Sequence, residues 1–256
     1  MKVRILGCSG GIGGRHLRTT SLMVDNDVLI DCGTGVADLS IAELSQIDHV
    51  FLTHSHMDHI ACLPLLIDTV GDMRNRPLTV HCLPATAEIL HNHIFNWSIW
   101  PDFTEIPSAE QPCLRFDRLS AGDSVLLEGN RRVAFLPVNH AVPAVGIQVD
   151  SGVNSIVFSG DTGPSRAFWD AVNAIPNLHT LLIETAFSNR ERKLAESSLH
   201  LCPSMLVEEL RCLQSRPDLF ITHLKPGQIE LTMEEIENSI GEFRPRMLQN
   251  NQVFEL

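Results

Sequence analysis

The segment His54-Ser55-His56-Met57-Asp58-His59 puts three imidazoles and a carboxylate directly after the apolar run Val50–Thr53. These are the ligand types Zn²⁺ takes when one coordination position must stay open for catalysis. At the end of a strand, residues two apart share a face, so His54 and His56 can chelate one ion. Asp58 and His59, entering a helix, point the other way and can serve a second. Two ions need further ligands, and later apolar runs end on suitable residues. Val133–Val138 leads to Asn139-His140, Ile156–Phe158 to Gly160-Asp161, and Leu219–Thr222 to His223. Taken singly, His140 reads as a structural histidine and Asp161 as a helix cap. Beside the first cluster, both read as metal ligands.

These residues must be held by the elements around them. Val3–Gly7, then Ser21–Asp25 and Val28–Asp31 turned at Asn26-Asp27, read as a strand and a hairpin. Further strands are expected at Val50–Thr53, Leu78–Cys82, Cys113–Leu119, Ser124–Glu128, Val133–Val138, Val145–Val149, Ile156–Phe158, Leu181–Glu184 and Leu219–Thr222. Helical patterns cover His59–Val70, Ala85–Ile94, Pro164–Ala174, Pro203–Gln214 and Thr232–Phe243, with Pro164 and Pro203 in their first turns. Short strands outnumber helices, and tight turns join the early ones. This predicts two packed sheets with helices outside, rather than one doubly wound sheet. Asn96–Pro112 is too apolar for a linker and reads as an ordered insertion.

Length and composition narrow the classes. A chain of 256 residues can form one large domain, and residues 1–256 are read as a single one. Nineteen Lys and Arg against 31 Asp and Glu leave a net charge of −12, which disfavours a long polyanionic partner. The seven cysteines contain no Cys-x-x-Cys pair, which excludes a four-cysteine zinc ribbon and points to a reducing, cytoplasmic setting. No apolar run approaches membrane-spanning length, and the first residues carry too short an apolar stretch for a secretory signal. The chain has no tyrosine, so none can serve as acid or nucleophile.

The pattern His54-x-His56-x-Asp58-His59, followed by a lone His, a lone Asp and a final His, resembles the metallo-β-lactamase superfamily. The resemblance spans essentially the whole chain and implies a four-layer αββα sandwich with a dinuclear zinc site at one edge. By position it would put His54, His56 and His140 on the first zinc and Asp58, His59 and His223 on the second, with Asp161 bridging. Asn139-His140-Ala141-Val142-Pro143, Ser159-Gly160-Asp161-Thr162-Gly163-Pro164, Glu184-Thr185-Ala186-Phe187-Ser188-Asn189, Thr222-His223-Leu224-Lys225-Pro226 and Phe95-Asn96-Trp97-Ser98-Ile99-Trp100-Pro101-Asp102-Phe103 resemble the class II cyclic-nucleotide phosphodiesterases. One departure is Leu199-His200-Leu201-Cys202-Pro203, where that family tends to read Gly-His-Leu-Thr-Pro. The resemblance also implies a pair in which Glu184 orients His200, and His200 neutralises the phosphate or protonates the leaving oxygen. Asp58, His200 and Glu184 are the catalytic candidates; His200 and Asn139 are the candidates for substrate contact.

The expected activity is zinc-dependent hydrolysis of 3′,5′-cyclic nucleotides, cAMP favoured, to 5′-monophosphates, with two Zn²⁺ (Mn²⁺ or Fe²⁺ as alternatives). A zinc-bound water titrates near neutrality, and two close ions can polarise a phosphoryl oxygen for in-line attack. The first alternative is a ribonuclease Z-like endonuclease. That family holds tRNA with a basic arm between the third metal His and the bridging Asp, whereas Ala141–Gly160 contains no Lys or Arg. Other readings are a hydrolase of a lactam, lactone or thioester, or a metal-bound sensor without turnover. Three weaker signals remain. Gly7-x-x-Gly10-Gly11-x-Gly13-Gly14 looks like a phosphate cradle, but no Lys-Ser/Thr follows, so a tight loop at the site rim is expected. His91 and His93 diverge on a helix. Trp97, Trp100 and Phe103 are expected in the core or at a homodimer contact rather than stacked on a base.

Overall fold

Continuous apolar runs build two sheets whose inner faces meet and whose outer faces carry helices. The computed structural model describes residues 1–14 and 16–256. The first six strands are β1 (Lys2–Gly7), β2 (Ser21–Val24), β3 (Val28–Ile30), β4 (His49–Phe51), β5 (Leu78–Cys82) and β6 (Leu114–Arg118). The second sheet takes β7 (Ser124–Leu126), β8 (Arg132–Pro137), β9 (Val145–Asp150), β10 (Ser155–Phe158), β11 (Leu178–Glu184), β12 (Asp218–Thr222) and β13 (Arg246–Met247). A last strand, β14 (Val253–Glu255), returns to the first sheet beside β1, giving the orders β14-β1-β2-β3-β4-β5-β6 and β13-β12-β11-β10-β9-β8-β7.

Burial follows strand alternation. Ile5, Val28, Ile30 and Phe51 from the first sheet meet Phe135, Ile147, Phe158 and Leu182 from the second. The opposite faces of β4 and β5, with Val50, Leu52 and Val80, pack on α3 (Leu63–Val70) and α4 (Pro84–His93). Short α1 (Ile41–Leu44) and α2 (Met57–Ile60) precede these two. Val157, Leu181 and Ile221 pack outward on α5 (Arg166–Asn173), α6 (Arg192–Ser198), α7 (Pro203–Leu210) and α8 (Ile229–Ile240). The result is the expected αββα sandwich, and none of the described helices is long and apolar enough to cross a membrane.

Several boundaries depart from expectation. The pattern at His59–Val70 is not one helix, because Pro64 lacks an N–H and its ring obstructs a continuous turn, so α2 and α3 are separate. Pro164 lies outside α5; the hydroxyl of Ser165 caps that helix by accepting from the Phe168 amide. Pro203 does occupy the first turn of α7, which ends at Leu210. Helix α8 begins at Ile229, earlier than expected, and passes into a 3-10 turn at Gly241–Phe243. Helix α6 buries Ala195 alone, so its sequence carries little amphipathic signal. The mostly exposed strands β13 and β14 carry even less.

Parallel pairing is what gathers the site. Strands β3, β4 and β5 run parallel, as do β10, β11 and β12. Their carboxyl ends therefore emerge at one edge of the sandwich, the place where open α/β sheets bind ligands.

Candidate metal centre

His54 and His56 follow β4, Asp58 and His59 lie in α2, His140 follows β8, Asp161 follows β10 and His223 follows β12. The fold brings all seven together. One ligating atom from each of His54, His56, His140 and Asp161 falls within 4.8 Å of the others, and the same holds for Asp58, His59 and His223. Asp161 lies between the groups. Its Oδ2 is 3.6 Å from His54 Nε2 and 3.9 Å from His140 Nε2. Its Oδ1 is 3.3 Å from both His59 Nε2 and His223 Nδ1.

Buried polar atoms ordinarily have partners. Here His54 Nε2, His59 Nε2, Asp161 Oδ1 and both ring nitrogens of His223 are buried with none. Leaving so many buried polar atoms unpaired costs about 1–3 kcal/mol each, and a shared cation is what such a ligand set fits. The outer ring nitrogens are committed elsewhere. His140 Nδ1 donates to the Leu199 carbonyl at 3.1 Å. His59 Nδ1 donates to Asp31 Oδ2 at 2.6 Å, and His54 Nδ1 lies 3.0 Å from Thr53 Oγ1. Each bond fixes a tautomer that turns Nε2 inward.

Asp31 and Thr53 were not singled out from sequence. Asp31 is fully buried, with φ +54°, and accepts from the Thr53 amide at 2.8 Å and from its hydroxyl at 2.8 Å. One carboxylate thus supports an imidazole of each group. An apolar strand ending in Asp was the available signal, but its partner follows a different strand.

Burial, then the neighbouring His59, hold His54 well below its ordinary pKa, and burial pushes His223 down to about 3 against the pull of Asp161. His59 behaves oppositely: burial would lower it, but Asp161 and Asp31 hold it well above. Burial would raise Asp161, yet His223 and His59 keep it well below the carboxylate range.

His200 and Glu184 form the expected pair. His200 Nδ1 donates to Glu184 Oε1 at 2.7 Å, and Glu184 also accepts from the amides of Thr162 and Ala186. Burial would lower His200, but the Glu184 carboxylate wins and raises it. Its ring stacks on His223 with centroids 5.5 Å apart and meets His140 edge-on at 5.0 Å.

Asn139 is exposed beside His140, and its amide donates to the Pro164 carbonyl, bracing the loop. Cys202, where a hydroxyl was expected from the resemblance, is fully buried with Sγ 3.4 Å from Ser204 Oγ. The glycine-rich loop lies at the rim as expected: a Cβ on Gly10 would sit 2.4 Å from the His223 carbonyl oxygen. Phe103 is buried and Trp100 donates to the Pro64 carbonyl, so both pack, whereas Trp97 is exposed. His91 faces Asp102 at 3.2 Å and lies outside both groups.

A seven-ligand His/Asp cluster at the strand ends of an αββα sandwich defines a metallo-hydrolase architecture. A family model described as the β-lactamase superfamily domain matches residues 26–224, and the chain belongs to that superfamily. A 3′,5′-cyclic-nucleotide phosphodiesterase of Aliivibrio fischeri is 27% identical over 252 residues, covering 82% of this chain and 74% of its own. A ribonuclease Z of Halorubrum lacusprofundi is 34% identical, over 36% of this chain and 32% of its own. Among solved structures, unliganded yeast PDE1 aligns with a TM-score of 0.81 at 20% identity, covering 100% of this chain and 99% of that one.

Proposed function

We propose that this chain is a two-metal phosphodiesterase that opens 3′,5′-cyclic nucleotides, cAMP first, to 5′-monophosphates. The observation that carries the reading is Asp161, which turns Oδ2 to one ligand group and Oδ1 to the other. His54, His56 and His140 would hold one ion, and Asp58, His59 and His223 the other, with Asp161 shared. Zinc suits this imidazole and carboxylate set. Bound there, such ions supply positive charge to an anionic diester and acidify water toward neutrality.

The remaining chemistry belongs to His200 and Glu184. Expulsion of a ribose 3′-oxygen is slow without proton donation. With Nδ1–H committed to Glu184, His200 has Nε2 available to carry that proton to the leaving oxygen. Glu184 is the positioning group: it fixes the ring and favours its protonated form. Seven free cysteines agree with a reducing, cytoplasmic setting.

The second reading, a ribonuclease Z-like endonuclease, is favoured by the 34% identical stretch. Against it, the stretch between His140 and Asp161 folds as the β9–β10 hairpin and contains no Lys or Arg.

A turnover panel of cAMP, cGMP, bis(p-nitrophenyl) phosphate and precursor tRNA tests the ranking. Cyclic nucleotides are expected to be cleaved far faster than tRNA; the reverse order would overturn the proposal. In the same panel, His200→Ala should retain its metal and lose about 10²–10⁴-fold in kcat on cAMP. The p-nitrophenyl diester, with its good leaving group, should lose far less. Equal losses would reassign His200 to phosphate binding or structure.

A further inference from the structure

The stretch Gly7–Gly14 looks like a phosphate cradle that lacks its lysine. In the fold a lysine reaches it from the far end of the chain. Lys225, two residues beyond His223, donates from Nζ to the Gly10 carbonyl at 2.7 Å, and its backbone N–H donates to Ala186 at 3.0 Å. We propose that Lys225 is the anion anchor of this centre, its ammonium binding a non-bridging oxygen of the phosphodiester on the His223 flank. The proposal rests on the phosphodiesterase reading above and names the contact that recognises the substrate's charge.

The position of the ammonium is fixed relative to the ligands. Gly10 packs so closely on His223 that any Cβ would collide, and a Cβ on Gly11 would lie 3.1 Å from Pro226 Cδ. Ser9 bridges to Leu224 in the same stretch. Loop and ligand-bearing segment therefore form one unit, with the Lys225 side chain spanning it.

The charge is also uncommitted. Among the described residues no carboxylate pairs with Lys225, although Arg4, Arg18, Arg74, Arg131 and Arg192 all have acidic partners. An unpaired, half-buried cation is notable in a chain of net charge −12. The Gly10 carbonyl takes one of three ammonium donors and leaves two. Asp58, Asp161 and Glu184 bring negative charge to the centre, and Lys225 adds a fixed cation on its His223 flank.

The alternative is that Lys225 merely pins the glycine loop. Lys225→Gln removes the charge and keeps a donor for Gly10; Lys225→Met fills the space without either and serves if the first does not fold. Inorganic phosphate binding to the metal-loaded protein, measured by calorimetry, reads the anchor without turnover. Charged hydrogen bonds of this kind correspond to about 10–100-fold in affinity. Phosphate affinity and 1/KM for bis(p-nitrophenyl) phosphate should both fall by that factor in Lys225→Gln, with kcat less affected, and Lys225→Arg should restore most of the loss. Unchanged phosphate affinity and KM with a lowered melting temperature would make Lys225 a pin and overturn the proposal. If no diester is hydrolysed but phosphate binding still follows the charge at position 225, the phosphodiesterase reading fails and the anchor stands.

Discussion

Two histidine clusters lie at opposite ends of β4, and they differ in where their lone pairs go. At the start of the strand, His49 Nδ1 lies 2.9 Å from His81 Nε2, and His81 Nδ1 reaches Asp117 at 2.8 Å. Phe51 stacks on His81 with ring centroids 4.1 Å apart. Three neighbouring strands thus close the inner hydrogen bonds among themselves. Beyond the other end of β4, the inward nitrogens of His54 and His59 have no partner. Residue type is shared, and His81 is as buried as the ligands, so neither marks a site by itself. What separates the clusters is that one is satisfied by its own fold and the other needs something the protein does not supply.

The largest way to break this contrast is at Asp161. If its two oxygens serve two ions, Asp161→Ala should abolish most turnover and lower the metal content measured by elemental analysis, which should be two ions per chain in active protein. A shared carboxylate also sets the spacing on which in-line geometry depends. Near-normal turnover with a stability loss of about 1 kcal/mol, the cost of a lost cap, would mean that the unpaired atoms are tolerated for another reason.

The seven candidate ligands were readable in sequence because each follows an apolar strand that announces itself, and parallel strands deliver their ends to one edge. The supporting groups were not. Asp31 meets Thr53 because β3 and β4 pair in parallel, with Ile30 opposite Phe51, and no local pattern states that register. Lys225 lies within the Thr222–Pro226 motif, but its reach to Gly10 depends on packing between the two ends of the chain. Pro64 did carry a legible break between α2 and α3, which the apolar periodicity across it obscured. The two last strands, β13 and β14, are short and mostly exposed, so the sequence holds little apolar contrast to reveal them.

A smaller effect is expected one layer out. Asp31→Asn keeps the shape and tolerates the positive φ, but replaces one accepting oxygen by an NH2 donor, so the Thr53 and His59 donors can no longer all be accepted. Loss of such a support typically costs about 10–100-fold in metal affinity or activity. Competitive chelator titration reads it directly, and the affinity of the metal held with His59 should fall. Unchanged affinity would show that packing alone orients these rings, and the contrast between satisfied and open clusters would lose its supporting half.

The smallest effect on activity should come from the satisfied cluster, and it should appear in stability instead. Burial pushes His81 down to about 4, against the pull of Asp117 and with His49 opposing its protonation. Burial likewise lowers His49, against the pull of Asp48 and Asp27. An unfolded histidine titrates near 6.5, so between about pH 6.5 and 4 the unfolded chain binds the extra proton. Stability from a neutral His81 is therefore intact above that window and is lost as the pH falls through it, by an amount on the order of 2 kcal/mol. His81→Leu should leave turnover at neutral pH unchanged. In metal-free protein, urea unfolding of the wild type at pH 7 and pH 5 should differ by more than it does in the variant, because the variant has lost the His81 titration. Identical pH dependence in both would mean that His81 keeps its proton equilibrium on folding, and that the cluster at the start of β4 is less closed than its distances indicate.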